Sequence, residues 1–142
     1  MIHNISYRTF IYGTEDEDKV LQAIGFIFNS PLPEKTVSQD HFGNSIFILT
    51  EKITKKRTNR DIVKFIEDNL SDDDKSLIRD ELDRRIDDKG NLFLRFDKQE
   101  AYNEELKLTY SGDAIHVRIK LASYPVSKDN AIQVAEKLFN FL

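Results

Sequence analysis

The chain has 142 residues, 21 basic and 25 acidic, and its net charge of −4 gives no overall attraction to nucleic acid or to an anionic membrane. Cysteine is absent, which excludes disulfides, thiolate nucleophiles and cysteine zinc sites. The length predicts one domain over residues 1–142. Because the sequence has neither a leader segment nor an apolar run of about 20 residues, we expect a cytoplasmic protein without a membrane partner.

Hydrophobic periodicity and helix-start residues predict the secondary structure. In chain order, the predicted elements are a strand at 2–12, a helix from 14 to about 29, a loop at 31–40, a central strand at 45–49, helices starting at 58 and 71, strands at 91–97, 104–110 and 114–121, and a helix starting at 127. Thr14 with Glu17 forms a capping-box pattern, and Thr58, Ser71 and Ser127 are typical first residues of helices. The segment Ser111-Gly112-Asp113 predicts a hairpin turn between the last two strands.

The order of these elements lacks the regular alternation of strands and helices that a parallel sheet requires. It therefore predicts an α+β fold, a single two-layer domain with a mostly antiparallel sheet and helices packed on one face.

The strand at 91–97 runs into a dense group of charged, amide and aromatic side chains. Its apolar residues alternate with Phe93, Arg95 and Asp97, so the guanidinium and the carboxylate are expected on the face opposite the core. A binding site at the end of this strand is one interpretation. A plain salt bridge between Arg95 and Asp97 is the other.

Two basic groups stand out against the negative background. Five basic residues, with Glu51 as the only acid between positions 51 and 60, could follow phosphates from a loop between a strand and a helix, or form a merely solvated loop. On the strand at 114–121, His116, Arg118 and Lys120 share one face. If this strand joins Arg95 in one sheet, their common face combines phosphate donors with aromatic residues suited to RNA. In contrast, residues 67 to 88 are strongly acidic, so we expect the charge to be polarised.

The sequence gives no positive support for catalysis or for a bound metal. The histidines lack ligand-spaced partners, the aspartates at 72–74 fit a helix cap, and Asp87 with Asp88 lacks the spacing of a calcium loop. No phosphate loop, dinucleotide fingerprint or nucleophile elbow is present. We therefore predict a protein that is not an enzyme and has no cofactor, and a metal-dependent nuclease is the least favoured hypothesis.

Several runs of the sequence together resemble a known family. They are Thr14-Glu15-Asp16, Gly43-Asn44, Arg85-Ile86-Asp87, residues 90–102 with the specific Arg95-Phe96-Asp97-Lys98-Gln99 core, and residues 115–120. In this order they resemble an archaeal family of small RNA-binding proteins, described as predicted exosome subunits. The resemblance implies a double-stranded-RNA-binding-like fold shared with a ribosomal protein that contacts 5S RNA.

The leading hypothesis is a non-catalytic RNA-binding protein of archaeal RNA processing that recognises structured RNA by shape and phosphate contacts, with RNA-processing proteins as further partners. A protein docking module within an RNA-processing assembly is the alternative. The oligomeric state stays open. The predicted phosphate contacts are Lys52, Lys55, Lys56, Arg57, Arg60, Arg95, Lys98, Arg118 and Lys120, and the predicted sugar or base contacts are Asn44, Gln99 and Tyr102.

Overall fold

The fold is built on one antiparallel sheet of five strands. The computed structural model describes residues 1–110 and 112–142. The strands are β1 (Ile2–Ile11), β2 (Glu34–Gln39), β3 (Ser45–Ile53), β4 (Asn91–Asp97) and β5 (Ala114–Leu121), in the spatial order β2-β3-β1-β5-β4. The helices are α1 (Glu17–Phe28), α2 (Lys56–Asn69), α3 (Asp72–Asp80), α4 (Leu82–Arg85), α5 (Lys98–Tyr102) and α6 (Lys128–Leu138). This architecture confirms the predicted α+β class.

Alternation along the strands gives the sheet one buried face and one open face. In β1, Ile5, Tyr7 and Ile11 are buried, and in β5 the residues at 115, 117, 119 and 121 are buried as predicted. These side chains share the core with apolar residues of the helices, such as Ile24 of α1. Because side chains alternate along a strand, the intervening residues lie on the other face, which the helices leave uncovered.

Helix starts were predicted with mixed success. Ser71 and Ser127 cap α3 and α6, each accepting a hydrogen bond from the backbone N–H three residues on. The prediction for Thr14 is wrong, because Asp16 caps α1 by accepting from the N–H of Asp18. The second helix begins at Lys56, ahead of the predicted Thr58, and its first turn has no side-chain cap.

Two segments differ from the prediction, and the order of elements changes with them. The predicted loop at 31–40 contains β2, an edge strand whose residues are all exposed, so no apolar alternation reveals it. The predicted strand at 104–110 makes one bridge, from Leu108 to Phe96 of β4, after the short helix α5. The predicted turn at 111–113 includes Ser111, which lies outside the described residues. The predicted central strand is β3, which lies inside the sheet between β2 and β1. It extends to Ile53, beyond the predicted end at 49, so Lys52 lies in a strand and not in the predicted loop.

Within the described residues, no helix is long and apolar enough to cross a membrane.

Candidate nucleic-acid interface

Cross-strand pairing gathers basic side chains on the open face of the sheet. Arg8 of β1 pairs with His116 of β5, which pairs in turn with Arg95 of β4. Two residues before Arg8 in β1, Ser6 lies opposite both Lys52 of β3 and Arg118 of β5. Arg118 in turn lies opposite Phe93 of β4. Directly opposed residues of an antiparallel pair project to the same side of the sheet. We call Arg8, Lys52, Arg95, Arg118 and Lys120 the face cations.

The face cations form no ion pairs among the residues that the structure describes. Within the described residues, none of them has a carboxylate oxygen within salt-bridge distance, whereas ion pairs form elsewhere on the molecule, as between Arg85 and Glu81. The guanidinium of Arg95 donates to the carbonyl of Tyr110 at 3.1 Å, and the amine of Lys120 donates to the carbonyl of Lys89 at 2.7 Å. Burial opposes ionisation of Asp87, but hydrogen bonds from Asn91 and the N–H of Lys89, together with the charge of Lys120, lower the pKa of its carboxyl, so the charge of Lys120 is partly offset. The positive charge of Arg8, Lys52, Arg95 and Arg118 is available to an external anion.

Asp97 and Glu34 lie on the same face, and neither forms an ion pair with a face cation. Asp97 caps α5 by accepting from the N–H of Glu100 at 3.0 Å, so its predicted alternative role as a salt-bridge partner of Arg95 is not what the structure shows. Glu34 lies in the edge strand β2, opposite Thr50 of β3.

Three residues of this face were missing from the predicted site: Arg8, Phe93 and His116. Their alternation was visible in the sequence, but only the register between distant strands shows that they lie beside Arg95 and Arg118. His116 is half-buried. Its burial, followed by the nearby positive charges of Arg95 and Arg8, lowers the pKa of its imidazole below the usual value of 6.5.

Lys98 lies elsewhere and has a different role. Its side chain is 0% exposed, and its amine donates to the carbonyl of Phe10 at 2.8 Å. The same amine forms ion pairs with Glu15 at 2.7 Å and with Asp113 at 2.8 Å. These partners use all three of its donors. A phosphate cannot reach Lys98 in this arrangement.

Gln99 and Tyr102 belong to the surroundings of Lys98. The amide of Gln99 donates to Asp113 at 3.0 Å, and the hydroxyl of Tyr102 donates to Glu15 at 2.8 Å. Partial burial favours the protonated form of Glu15, but the hydrogen bonds from Lys98, the N–H of Tyr12 and Tyr102 outweigh it and lower the pKa of the carboxyl. The Arg-Phe-Asp-Lys-Gln run thus divides: Arg95 faces outward, and Lys98 and Gln99 join a network around α5.

The remaining predicted contacts lie at two separate places. Asn44 lies at the turn between β2 and β3, where its N–H and its amide both donate to Asp40. Lys52 lies near the far end of β3, about 27 Å from Asn44 at the usual rise of a strand. Lys55 and Lys52 line one groove between the end of α1 and the start of α2. Lys56, Arg57 and Arg60 are exposed in the first turns of α2.

No group of three or more histidine or acidic side chains suited to a metal ion occurs among the residues that the structure describes.

The fold and its open face define an α+β protein with a basic, partly aromatic sheet surface. A family model described as RNA binding matches residues 4–121. The chain therefore belongs to this RNA-binding family.

The chain is also similar to individual archaeal proteins. RNA-binding protein PAB1135 from Pyrococcus abyssi is 33% identical over 141 residues, which cover 95% of this chain and 92% of that protein. The solved structure of Mth689, a DUF54 protein from Methanothermobacter thermautotrophicus, is 36% identical, with a TM-score of 0.87 over 98% of both chains. Protein AF2318 from Archaeglobus fulgidus is 30% identical, also with a TM-score of 0.87, over 97% of this chain and 99% of that one.

Proposed function

We propose that this chain is a non-catalytic RNA-binding protein that holds structured RNA against the open sheet face through phosphate contacts. The observation that carries the proposal is the set of face cations without carboxylate partners among the described residues. Each phosphate that such a cation neutralises releases counterions, which favours binding even for a chain of net charge −4. Membership of the RNA-binding family supports the choice of RNA as the polyanion.

The basic start of α2 extends the proposed interface beyond the end of β3. Lys52 belongs to the open face and also lines the groove that reaches Lys55. An RNA strand that leaves the face at β3 would therefore meet Lys55, Lys56 and Arg57 next. The buried Lys98 and its partners Gln99 and Tyr102 are not part of this interface.

We further propose a role in archaeal RNA processing, in association with an exosome. The relatives of the chain are archaeal, and its sequence resembles a family described as predicted exosome subunits. Affinity purification of the chain from an archaeal host, with and without ribonuclease treatment, tests this proposal. Co-purification of exosome subunits that survives ribonuclease would support a direct contact, and their absence would contradict it.

Protein docking is the second candidate function, and it has its own supporting observation. The strand β2 lies at the edge of the sheet with Val37 exposed, and the neighbouring Leu32 and Phe42 are exposed as well. An edge strand of this kind can add a strand from a partner protein. If the chain bound no RNA with a salt-dependent affinity while β2 variants lost a protein partner, docking would replace RNA binding as the main function.

Replacing Arg118 by glutamine tests the proposed interface with a single change. Because Arg118 is exposed and has no ion-pair partner in the described part of the chain, the fold should be unaffected. The loss of one phosphate contact should lower the slope of log affinity against log salt by roughly 0.7 to 0.9. Arg79→Gln is the matched control, since Arg79 lies in α3 and donates to the carbonyl of Phe141, a residue packed against the core. Equal salt slopes for both variants and the parent would remove Arg118 from the interface.

RNA affinity is also expected to rise as the pH falls from about 8 to about 5. In the free protein, burial and the flanking cations Arg8 and Arg95 hold the pKa of His116 below 6.5. A phosphate placed among these cations would favour the imidazolium and raise that pKa, so the complex would take up a proton. Binding titrations across this pH range should show the effect, and His116→Gln should abolish it. An unchanged pH dependence in that variant would contradict a phosphate beside His116.

A further inference from the structure

Phe93 is an exposed aromatic residue set among the face cations. Its side chain retains 44% of its accessible surface, although the strand that carries it is otherwise well packed on its core side. Arg118 lies directly opposite Phe93 in the register of β4 and β5. Arg95 lies two residues along the same strand and therefore on the same face. The exposed ring thus has two neighbouring arginines, Arg95 and Arg118, neither of which forms an ion pair among the described residues.

Phe10, a second aromatic residue of this face, differs from Phe93 because its ring already has neighbours. The guanidinium of Arg8 lies 5.8 Å from its ring centroid, and the ring of Tyr12 lies 6.1 Å away. For Phe93, the described residues provide neither an aromatic nor a cationic ring partner. Of these two rings, that of Phe93 is therefore the one on which an external base can stack.

The spacing around Phe93 fits one nucleotide. Opposed side chains on neighbouring strands start about 5 Å apart, and same-face neighbours along one strand start about 7 Å apart. A base stacked on the ring would hold its sugar and flanking phosphates a similar distance from the base centre. The long side chains of Arg95 and Arg118 can reach phosphates at that range.

We infer that the open sheet face binds an unpaired RNA nucleotide, with its base stacked on Phe93 and its flanking phosphates bound by Arg95 and Arg118. This inference rests on the proposed function and narrows its ligand to RNA with a single-stranded segment, loop or bulge. In an uninterrupted duplex the base faces are stacked on each other and are closed to a side chain. Stacking on an aromatic ring also tolerates any base, so we expect little sequence preference.

Binding of a labelled single-stranded RNA without self-complementarity, compared with its blunt duplex, tests the inference. The variants are Phe93→Ala, which removes the ring, and Phe93→Tyr, which keeps it. Phe42→Ala is the matched control, because Phe42 is exposed in the turn between β2 and β3, away from the face cations. A thermal melt of each variant establishes that it is folded.

We expect Phe93→Ala to weaken single-strand binding by roughly 5-fold to 150-fold, the usual range for one lost stacking contact. Its salt slope should stay unchanged because no phosphate contact is lost, and Phe93→Tyr should retain most of the affinity. Phe42→Ala should bind like the parent.

Three outcomes decide the matter. If the single strand binds more tightly than the duplex and only Phe93→Ala weakens it, the inference stands. If the duplex binds at least as tightly and Phe93→Ala has no effect, while Arg118→Gln still lowers the salt slope, the inference is overturned and the proposed function survives. If neither RNA binds with a salt-dependent affinity, both fail.

Discussion

Lys98→Ala is expected to lower the free energy of unfolding by about 3 to 5 kcal/mol, the range found when one partner of a buried ion pair is removed. The amine of Lys98 is fully buried and holds the carboxylates of Glu15 and Asp113 together with the carbonyl of Phe10. Its removal leaves these groups without their cation. For a chain of this length, the melting temperature should fall by on the order of 10 °C or more.

The variant Lys98→Met separates charge from packing in this prediction. Methionine fills much of the lysine volume but cannot neutralise Glu15 and Asp113, so we expect it to remain strongly destabilised. Lys64→Ala serves as the control, because Lys64 forms an exposed pair with Asp68 on one helix face and should change stability by well under about 1 kcal/mol. Chemical denaturation of the four proteins measures the differences. A loss below about 1 kcal/mol for Lys98→Ala would mean that the network does not stabilise the fold.

Local pattern predicted β1, β4, β5 and the first half of β3. It could not predict the path of the chain beyond the end of β4. The alternation at 91–97 placed Arg95 outward and the apolar residues inward, as the structure confirms. The alternation ends at Asp97, whose side chain caps α5 and so turns the chain into a helix. That change of direction carries Lys98 into the interior. Its partner Glu15 lies 83 positions away, and no local pattern reports such a contact.

Local pattern was also insufficient to predict which residues form the candidate interface. Arg8 was visible as an outward residue of the first strand, yet its place beside His116 depends on pairing between segments about 100 residues apart in sequence. Register in a sheet is fixed by the complementary hydrophobic faces of whole strands, so it emerges only when the core is assembled. The edge strand β2 was not predicted, for a different reason. All of its residues are exposed, and it has no hydrophobic face to detect.

Simultaneous replacement of Arg8, Arg95 and Arg118 by glutamine is expected to produce the largest loss of RNA affinity. Three lost phosphate contacts should lower the salt slope by roughly 2 to 3 and weaken binding on the order of 100-fold at about 0.1 M salt. All three side chains are exposed on the open face, so the melting temperature should change little.

A second triple variant, Lys55→Gln with Lys56→Gln and Arg57→Gln, is the matched comparison for the open-face triple. Both triples remove three positive charges, so any effect of net charge alone would be equal in the two proteins. If the open sheet face is the principal interface, its triple should lose far more affinity than the triple at the start of α2. Equal losses would mean that RNA covers both surfaces, and a larger loss for the α2 triple would move the interface away from the sheet. Phe93 is unchanged in both triples. The single-strand binding that remains in the open-face triple should therefore show a shallower salt dependence than that of the parent. Adding Phe93→Ala to this triple should weaken the remaining binding further.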